Sequence, residues 1–214
     1  PNVDDYGYAL IVLDSVSRRN LLNGALASVA DPFLRAMLWG TLWDEVRAAR
    51  LHPVRFVKLV VRDLPRESDE QSVPSQLGRL SRTMNAYLAD AARDSLQGTV
   101  ESFLWSGAGD TARSYGIRRA YLDAFVSVSR TPAALDQLRG VFAADSAAGD
   151  VVRDPLRWEI VTHLTMLGAQ DAAAKLAAQV ARDSTPDGRR RAFTVGAARG
   201  DAAVKAEYFV RYFA

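Results

Sequence analysis

The stretch Asp31–Arg50, DPFLRAMLWGTLWDEVRAAR, decides the fold class of this chain. On a 3.6-residue period, Phe33, Leu34, Met37, Leu38, Trp39, Leu42, Trp43 and Val46 cover nearly the whole circumference of a helix. A helix of that kind is expected to be wrapped by neighbours on several sides. Its start is marked twice: Asp31 can accept a hydrogen bond from an orphan backbone N–H, and Pro32 stands at the first helical position, where no N–H is needed. Trp39 and Trp43, four residues apart, bring a large apolar area to one level of the core. The stretch holds no nucleophile or metal-ligand pair, and Asp44, Glu45 and Arg47 read as a solvated face.

From Ser17 onward the same helical patterning persists. Helices are expected at 17–28, 31–49, 53–64, 69–88, 90–105, 110–129, 132–144, 154–167, 171–182, 186–198 and 201–213. Asp31-Pro32, Thr131-Pro132, Asp154-Pro155 and Thr185-Pro186 repeat the cap-plus-proline start, and Ser68 with Gln71 offers a capping box. Pro74 falls inside the 69–88 helix and requires a kink or a later start. About eleven consecutive helices joined by short turns must form antiparallel hairpins, so the fold class is all-α, an irregular α-α superhelix of stacked helical hairpins. No fixed repeat length is legible. Gly107-Ala108-Gly109 and Ala147-Ala148-Gly149 mark loops, and Asp145–Arg153 is the weakest-patterned connection, a candidate joint between a front and a back half.

The one convincing strand is Tyr6–Asp14, YGYALIVLD, β-branched and aromatic between Asp4-Asp5 and Asp14-Ser15. A lone strand cannot satisfy its own backbone, so its partner is expected outside this stretch. The domain reading is therefore residues 1–14 as a strand and linker from a preceding β-rich domain, and 15–214 as the helical domain. The start at Pro1, without initiator Met or leader, reads as an excerpt from a longer polypeptide.

Composition removes several functions. The 214 residues contain no cysteine, so disulfides, thiolate metal sites and cysteine nucleophiles are excluded. A net charge of +2 is too small to argue for nucleic acid without a concentrated patch. No uninterrupted apolar run is long enough to span a bilayer. His52 and His163 are the two histidines, and neither has a Glu and a second His at metal-binding spacing. His52, before Pro53, reads as a helix-start residue, and His163 as a core-edge imidazole. Gly107-Ala108-Gly109-Asp110 lacks both the third glycine of a dinucleotide fingerprint and the Gly-Lys-Ser/Thr of a P-loop. Ser127, Ser129 and Ser146 have no histidine nearby in sequence.

Arginines carry what signal remains. Arg189-Arg190-Arg191 with Arg199 is the most basic cluster, read first as solvated or ion-paired surface, then as contact with a companion domain, then as nucleic-acid binding. Arg118-Arg119, next to Tyr115 and Tyr121, can line a concave face and hold a peptide carboxylate, because guanidinium grips carboxylates bidentately. Arg118, Arg119 and Tyr121 are the chamber-lining candidates, with surface ion pairing as the plainer reading.

Several motifs coincide with one family. Asn2, Gly7 and Tyr8 in an Asn-x(4)-Gly-Tyr approach, Leu38–Asp44 as LWGTLWD, Leu156-Arg157-Trp158-Glu159, and the closing Lys205–Phe209 together resemble the C-terminal helical domain of bacterial aminopeptidase N zinc metallopeptidases. Where many relatives continue Gly-Tyr with Tyr-Arg-Val, this chain has Ala9-Leu10-Ile11. The resemblance implies a β-rich domain, a thermolysin-like catalytic domain and a small β-sandwich upstream, with the helical domain capping the catalytic one and limiting which peptides enter. It implies one zinc ion in the absent catalytic domain, a peptide substrate, a cytoplasmic location, and neither a nucleic-acid nor a membrane partner. The family's H-E-x-x-H and G-x-M-E-N motifs match nothing here, and Met84-Asn85 lacks the glutamate context. No catalytic or metal residue carries over, so the segment alone is expected to be inactive. The competing readings are a stand-alone α-solenoid that binds a protein or peptide, and a nucleic-acid-binding helical repeat.

Overall fold

The computed structural model describes residues 10–213, which hold eleven α-helices and one two-stranded sheet. The chain divides into two compact units, Pro1–Val128 and Ser129–Ala214. Of the strand expected over Tyr6–Asp14, residues 10–14 have no regular secondary structure, and residues 6–9 lie outside the described residues.

In the first unit, α1 (Ser15–Leu22) is capped by Asp14, whose carboxylate accepts from the amides of Val16 and Ser17. The helix expected to run on to 28 stops at Gly24, where φ is +110°, and resumes as a 3₁₀ turn over Ala25–Ser28. A positive φ of that size breaks the helical ladder and suits glycine. Helix α2 (Pro32–Arg47) starts as its sequence dictates, with the Asp31 carboxylate accepting from the Phe33 amide at 2.9 Å. Its burial is one-sided: Trp39, Leu42 and Val46 are buried, Leu34, Met37, Leu38 and Trp43 are half-buried, and Phe33 is 52% exposed. The all-round wrapping expected from the pattern is thus corrected to one buried face.

Helix α3 (Pro53–Asp63) is strongly amphipathic and buries Phe56, Val57, Leu59 and Val60. The Phe56 ring meets Trp39 edge-on at 6.4 Å and Trp43 at 5.6 Å, while Trp43 meets Tyr87 edge-on at 5.5 Å. The two tryptophans of the opening stretch therefore join α2, α3 and the residues after α4 (Ser72–Arg82). Buried carboxylates complete this core. Glu45, expected on a solvated face, is 0% exposed, because Arg18 reaches in to its Oε2 at 3.0 Å. Glu67 accepts both arms of Arg35 at 2.9 and 3.2 Å and the Trp39 indole N–H at 3.4 Å. Paired charge of this kind can be buried where a lone carboxylate cannot.

Helix α4 starts late, as the proline required. The capping group is Asp69, whose Oδ1 accepts from the amides of Gln71 and Ser72 at 3.1 and 2.6 Å. The Ser68–Gln71 capping box does not form at this helix start, and Pro74 falls in the first turn, where its missing N–H is harmless. Beyond Arg82 the helix widens into a π turn, Thr83–Tyr87. Arg93 holds its end by donating to the carbonyls of Met84 at 2.7 Å and Leu88 at 2.9 Å.

Helix α5 (Asp90–Gly109) runs four residues past its expected end, so Gly107-Ala108-Gly109 is helix and not loop. The reason is the neighbour: a Cβ on Gly107 would stand 2.6 Å from Cγ of Tyr121 and nearer still to two other ring carbons. Gly107 thus serves close helix packing against α6 (Tyr115–Val128). Asn85 donates to Ser127 and Gly116 lies beside Glu70, so α4 and α6 run in the same direction, with α5 antiparallel to α6. This alternation is the stacked-hairpin arrangement.

In the second unit, α7 (Pro132–Ala143) and α10 (Pro186–Ala197) begin at Thr131 and Thr185, whose hydroxyls accept from the amides of Ala134 and Gly188. Helix α8 (Asp154–Met166) departs from the expected pattern: Arg153 is the cap position, and the Asp154 carboxylate accepts instead from Gln179 at 3.0 Å and Arg182 at 3.2 Å, on or beside α9 (Ala172–Arg182). Trp158, Val161 and Val195 form the core, with Phe142, Leu176 and Ala192 against them. The Trp158 indole donates to Asp183 at 2.8 Å.

The expected soft joint at Asp145–Arg153 is instead a small hairpin. Strands β1 (Ser146–Ala147) and β2 (Asp150–Val151) pair antiparallel across Ala148 and Gly149, with φ of 51° and 83°. Two consecutive left-handed residues give the turn that matches strand twist. Buried Arg157 anchors it by donating to the carbonyls of Phe142 at 3.2 Å, Ala144 at 2.7 Å and Val152. The boundary between compact units accordingly falls at Val128–Ser129 and not in this hairpin. Helix α11 (Ala202–Phe213) buries none of its residues; Tyr208 lies over Gly196, and Phe209, Val210, Tyr212 and Phe213 are exposed.

Candidate functional site

Arg118, Arg119 and Tyr121 share α6 but do not meet at one place. Arg119 pairs with Asp123 one turn on at 2.9 Å, an arrangement that holds its guanidinium above its ordinary pKa, chiefly through that hydrogen bond. Arg118 is half-buried, and its Nε has no hydrogen-bond partner among the described residues. Tyr121 is only 1% exposed and lines an open cleft of about 470 Å³ together with Pro65, Phe103, Ser106, Asp110 and Arg113. Neither Arg118 nor Arg119 lines that cleft.

The cleft follows from local sequence. Helix α5 ends at Gly109, and Asp110 then turns the chain by accepting from the Ala112 amide at 3.1 Å. Three residues on, Arg113 donates from Nε to the Asp110 carboxylate at 3.1 Å, from Nη1 to the Glu67 carbonyl at 3.2 Å and from Nη2 to the Pro65 carbonyl at 2.7 Å. Its guanidinium carbon sits 5.3 Å from the Tyr121 ring centre, within cation–π range. Phe103 closes the other side, edge-on to Tyr121 at 5.4 Å. Burial pushes the Tyr121 phenol above its ordinary pKa, outweighing the lowering effect of Arg113. Arg113 was not distinguished by its sequence, because an Asp-x-x-Arg pair before a helix is an ordinary surface pattern. The carbonyls it holds are more than forty positions away.

The histidines behave as helix and core residues. His52 Nδ1 accepts from the Val54 amide at 3.3 Å at the start of α3, and His163 is buried with Nε2 2.7 Å from the Ser129 carbonyl. In the basic cluster, Arg189 donates to the Ser184 carbonyl at 2.8 Å and Arg191 pairs with Asp187 at 2.8 Å. Among the described residues no group of three or more His, Cys, Asp or Glu is arranged to hold a metal ion. A zinc site therefore does not fit the described residues of this chain. No described helix is long and apolar enough to cross a membrane.

A second, larger groove of about 790 Å³ lies in the second unit, between the start of α9 and the α10–α11 turn. Its walls are mostly small or apolar, Ala169, Ala172, Ala173 and Leu176 among them, with Arg199 and Glu207 at hand.

Helical hairpins and tight glycine contacts define an all-helical domain. The chain belongs to the family described as the ERAP1-like C-terminal domain, which it matches over residues 1–214. It is also 31% identical over 209 residues to aminopeptidase N of Streptomyces lividans, an alignment covering 96% of this chain and 24% of that protein. The chain thus spans about a quarter of the length of that relative and corresponds to a C-terminal domain of an aminopeptidase N-like enzyme.

Proposed function

We propose that this chain is the noncatalytic C-terminal domain of a zinc-dependent aminopeptidase that removes N-terminal amino acids from peptides. It caps the catalytic domain, encloses the chamber above the active site and limits which peptides reach it. The observation that carries the reading is the match of residues 1–214 to the C-terminal domain family, joined to the 31% identity with an aminopeptidase N. The zinc belongs to the upstream part of the enzyme, since the described residues offer no ligand set for it. The partners are the upstream catalytic and β-sandwich domains and the peptide substrate, in a cytoplasmic setting, with no nucleic acid or membrane. Local engagement of Arg189 and Arg191 supports leaving nucleic acid out.

A cap of this kind works by shape. Closing over bound peptide excludes bulk water and commits the substrate, and the chemical step stays in the catalytic domain. Arg118, Arg119 and Tyr121 remain the candidates for facing the chamber.

The test uses the complete open reading frame that encodes this chain, beside residues 1–214 alone, assayed on aminoacyl p-nitroanilides. The complete polypeptide is expected to hydrolyse them and to lose activity with a chelator, and the chain alone is expected to be inert and to bind no stoichiometric zinc. Turnover by the chain alone, or an inert complete polypeptide, would refute the reading.

A further inference from the structure

We infer that the cleft between the C-terminal turn of α5 and the start of α6 binds a free α-amino acid with an apolar side chain, held as its zwitterion. The cleft lies wholly in the first unit and presents complementary polar groups side by side. At its acceptor end are the last carbonyls of α5, residues 106–109, which have no partner within the helix and carry the negative end of its dipole. Gly109 has open space where a side chain would stand, and the Asp110 carboxylate, 43% exposed, adds a full negative charge.

The donor end is Arg113 with Tyr121. Arg113 commits one N–H each from Nε, Nη1 and Nη2 to Asp110, Glu67 and Pro65, which leaves one further N–H on each terminal nitrogen. Tyr121, whose side chain is 1% exposed, lines the cleft beside Arg113, and its phenol supplies a further donor there.

The charges select the ligand class. A simple cation would meet the Arg113 guanidinium, and a simple anion would meet Asp110 and the helix carbonyls; each gains one attraction and suffers one repulsion. The two charged groups stand 3.1 Å apart, so a ligand carrying ammonium and carboxylate on one carbon addresses both. Its ammonium donates to the α5 carbonyls and Asp110, and its carboxylate accepts from Arg113 and Tyr121. The remaining wall, Phe103 and Pro65, is apolar, and a space of about 470 Å³ admits a leucine-sized side chain against it. The inference is independent of the peptidase reading, because it concerns a cleft in this chain and needs no catalytic domain.

The experiment titrates L-leucine into the 214-residue chain, followed by calorimetry and by amide chemical shifts. Binding is expected, with a loss of about tenfold or more for L-leucinamide, for N-acetyl-L-leucine and for the Tyr121→Phe variant, each of which removes one charge-assisted contact. Circular dichroism establishes that Tyr121→Phe is folded; if it is not, the two analogues carry the test on the unaltered chain. Absence of leucine binding up to about 10 mM overturns the inference, as does equal binding of the capped analogues. Undiminished binding by a folded Tyr121→Phe chain overturns the assignment as well.

Discussion

Replacing Trp39 with alanine tests the organisation of the first unit most directly. The side chain is 0% exposed, and its loss cannot be filled from α3, because Phe56 meets it edge-on at 6.4 Å and is held on its other side by Trp43. An indole of this burial removes about 200 Å² of surface from water, worth about 5 kcal/mol at about 25 cal/mol per Å². Residual burial in the unfolded chain lowers that by roughly a third, and the unfilled cavity adds part of it back, giving about 3 to 5 kcal/mol. The indole hydrogen bond adds little, since at 3.4 Å it is long and Glu67 keeps both contacts to Arg35. Urea denaturation followed by ellipticity and by tryptophan fluorescence measures the loss. Trp39, Trp43 and Trp105 lie in the first unit and Trp158 in the second, so a transition of the first unit dominates the fluorescence. A loss below about 1 kcal/mol would mean that α2 is peripheral and that the packing described for it is wrong.

Other substitutions address the remaining contacts. Gly107→Ala is expected to destabilise by about 1 to 3 kcal/mol despite alanine's better helix propensity, because its Cβ would run into the Tyr121 ring; a melt showing stabilisation would refute the close packing of α5 on α6. Arg157→Leu leaves the carbonyls of Phe142, Ala144 and Val152 without their donor and is expected to cost about 3 kcal/mol or more, with proteolysis opening the hairpin first. A change under about 1 kcal/mol in urea melts would show that the hairpin needs no such anchor. Asp171 is held at a pKa of about 2 by Arg139, which donates to both of its oxygens at 2.9 and 3.1 Å. A lowered carboxylate pKa stabilises the fold above its unfolded value near 3.8, and that stability is lost as pH falls toward about 2. The pair is a third exposed, so the effect is roughly 1 kcal/mol after solvent screening; Asp171→Asn should remove it, and an unchanged stability difference between pH 5 and pH 2 would refute the linkage.

Much of the helix order was legible because several segments carry their own start signal. Asp31-Pro32, Thr131-Pro132 and Thr185-Pro186 act through neighbouring backbone groups, so a single sequence contains the whole interaction. The same reasoning misplaced Asp154, because its carboxylate is taken by Gln179 and Arg182 from a distant helix. It also made a loop of Gly107-Ala108-Gly109, since glycine signals a break until a neighbouring ring explains why no side chain is allowed. For the candidate site, Tyr121 was visible as an aromatic beside arginines, and Arg113 was not.

The sequence by itself determined the class of fold and the family. Period, caps and the LWGTLWD core at Leu38–Asp44 are local facts that survive in any helical context. Only the tertiary structure decided which side of that helix is buried, that Glu45 and Glu67 lie inside with arginines for partners, and that Asp110, Arg113 and Tyr121 share a cleft. Burial of a charge depends on a partner that arrives from elsewhere in the chain: Arg18 reaches Glu45 across 27 positions and Arg35 reaches Glu67 across 32. No periodicity in a single helix encodes such a meeting, because it is fixed by where neighbouring helices place their side chains.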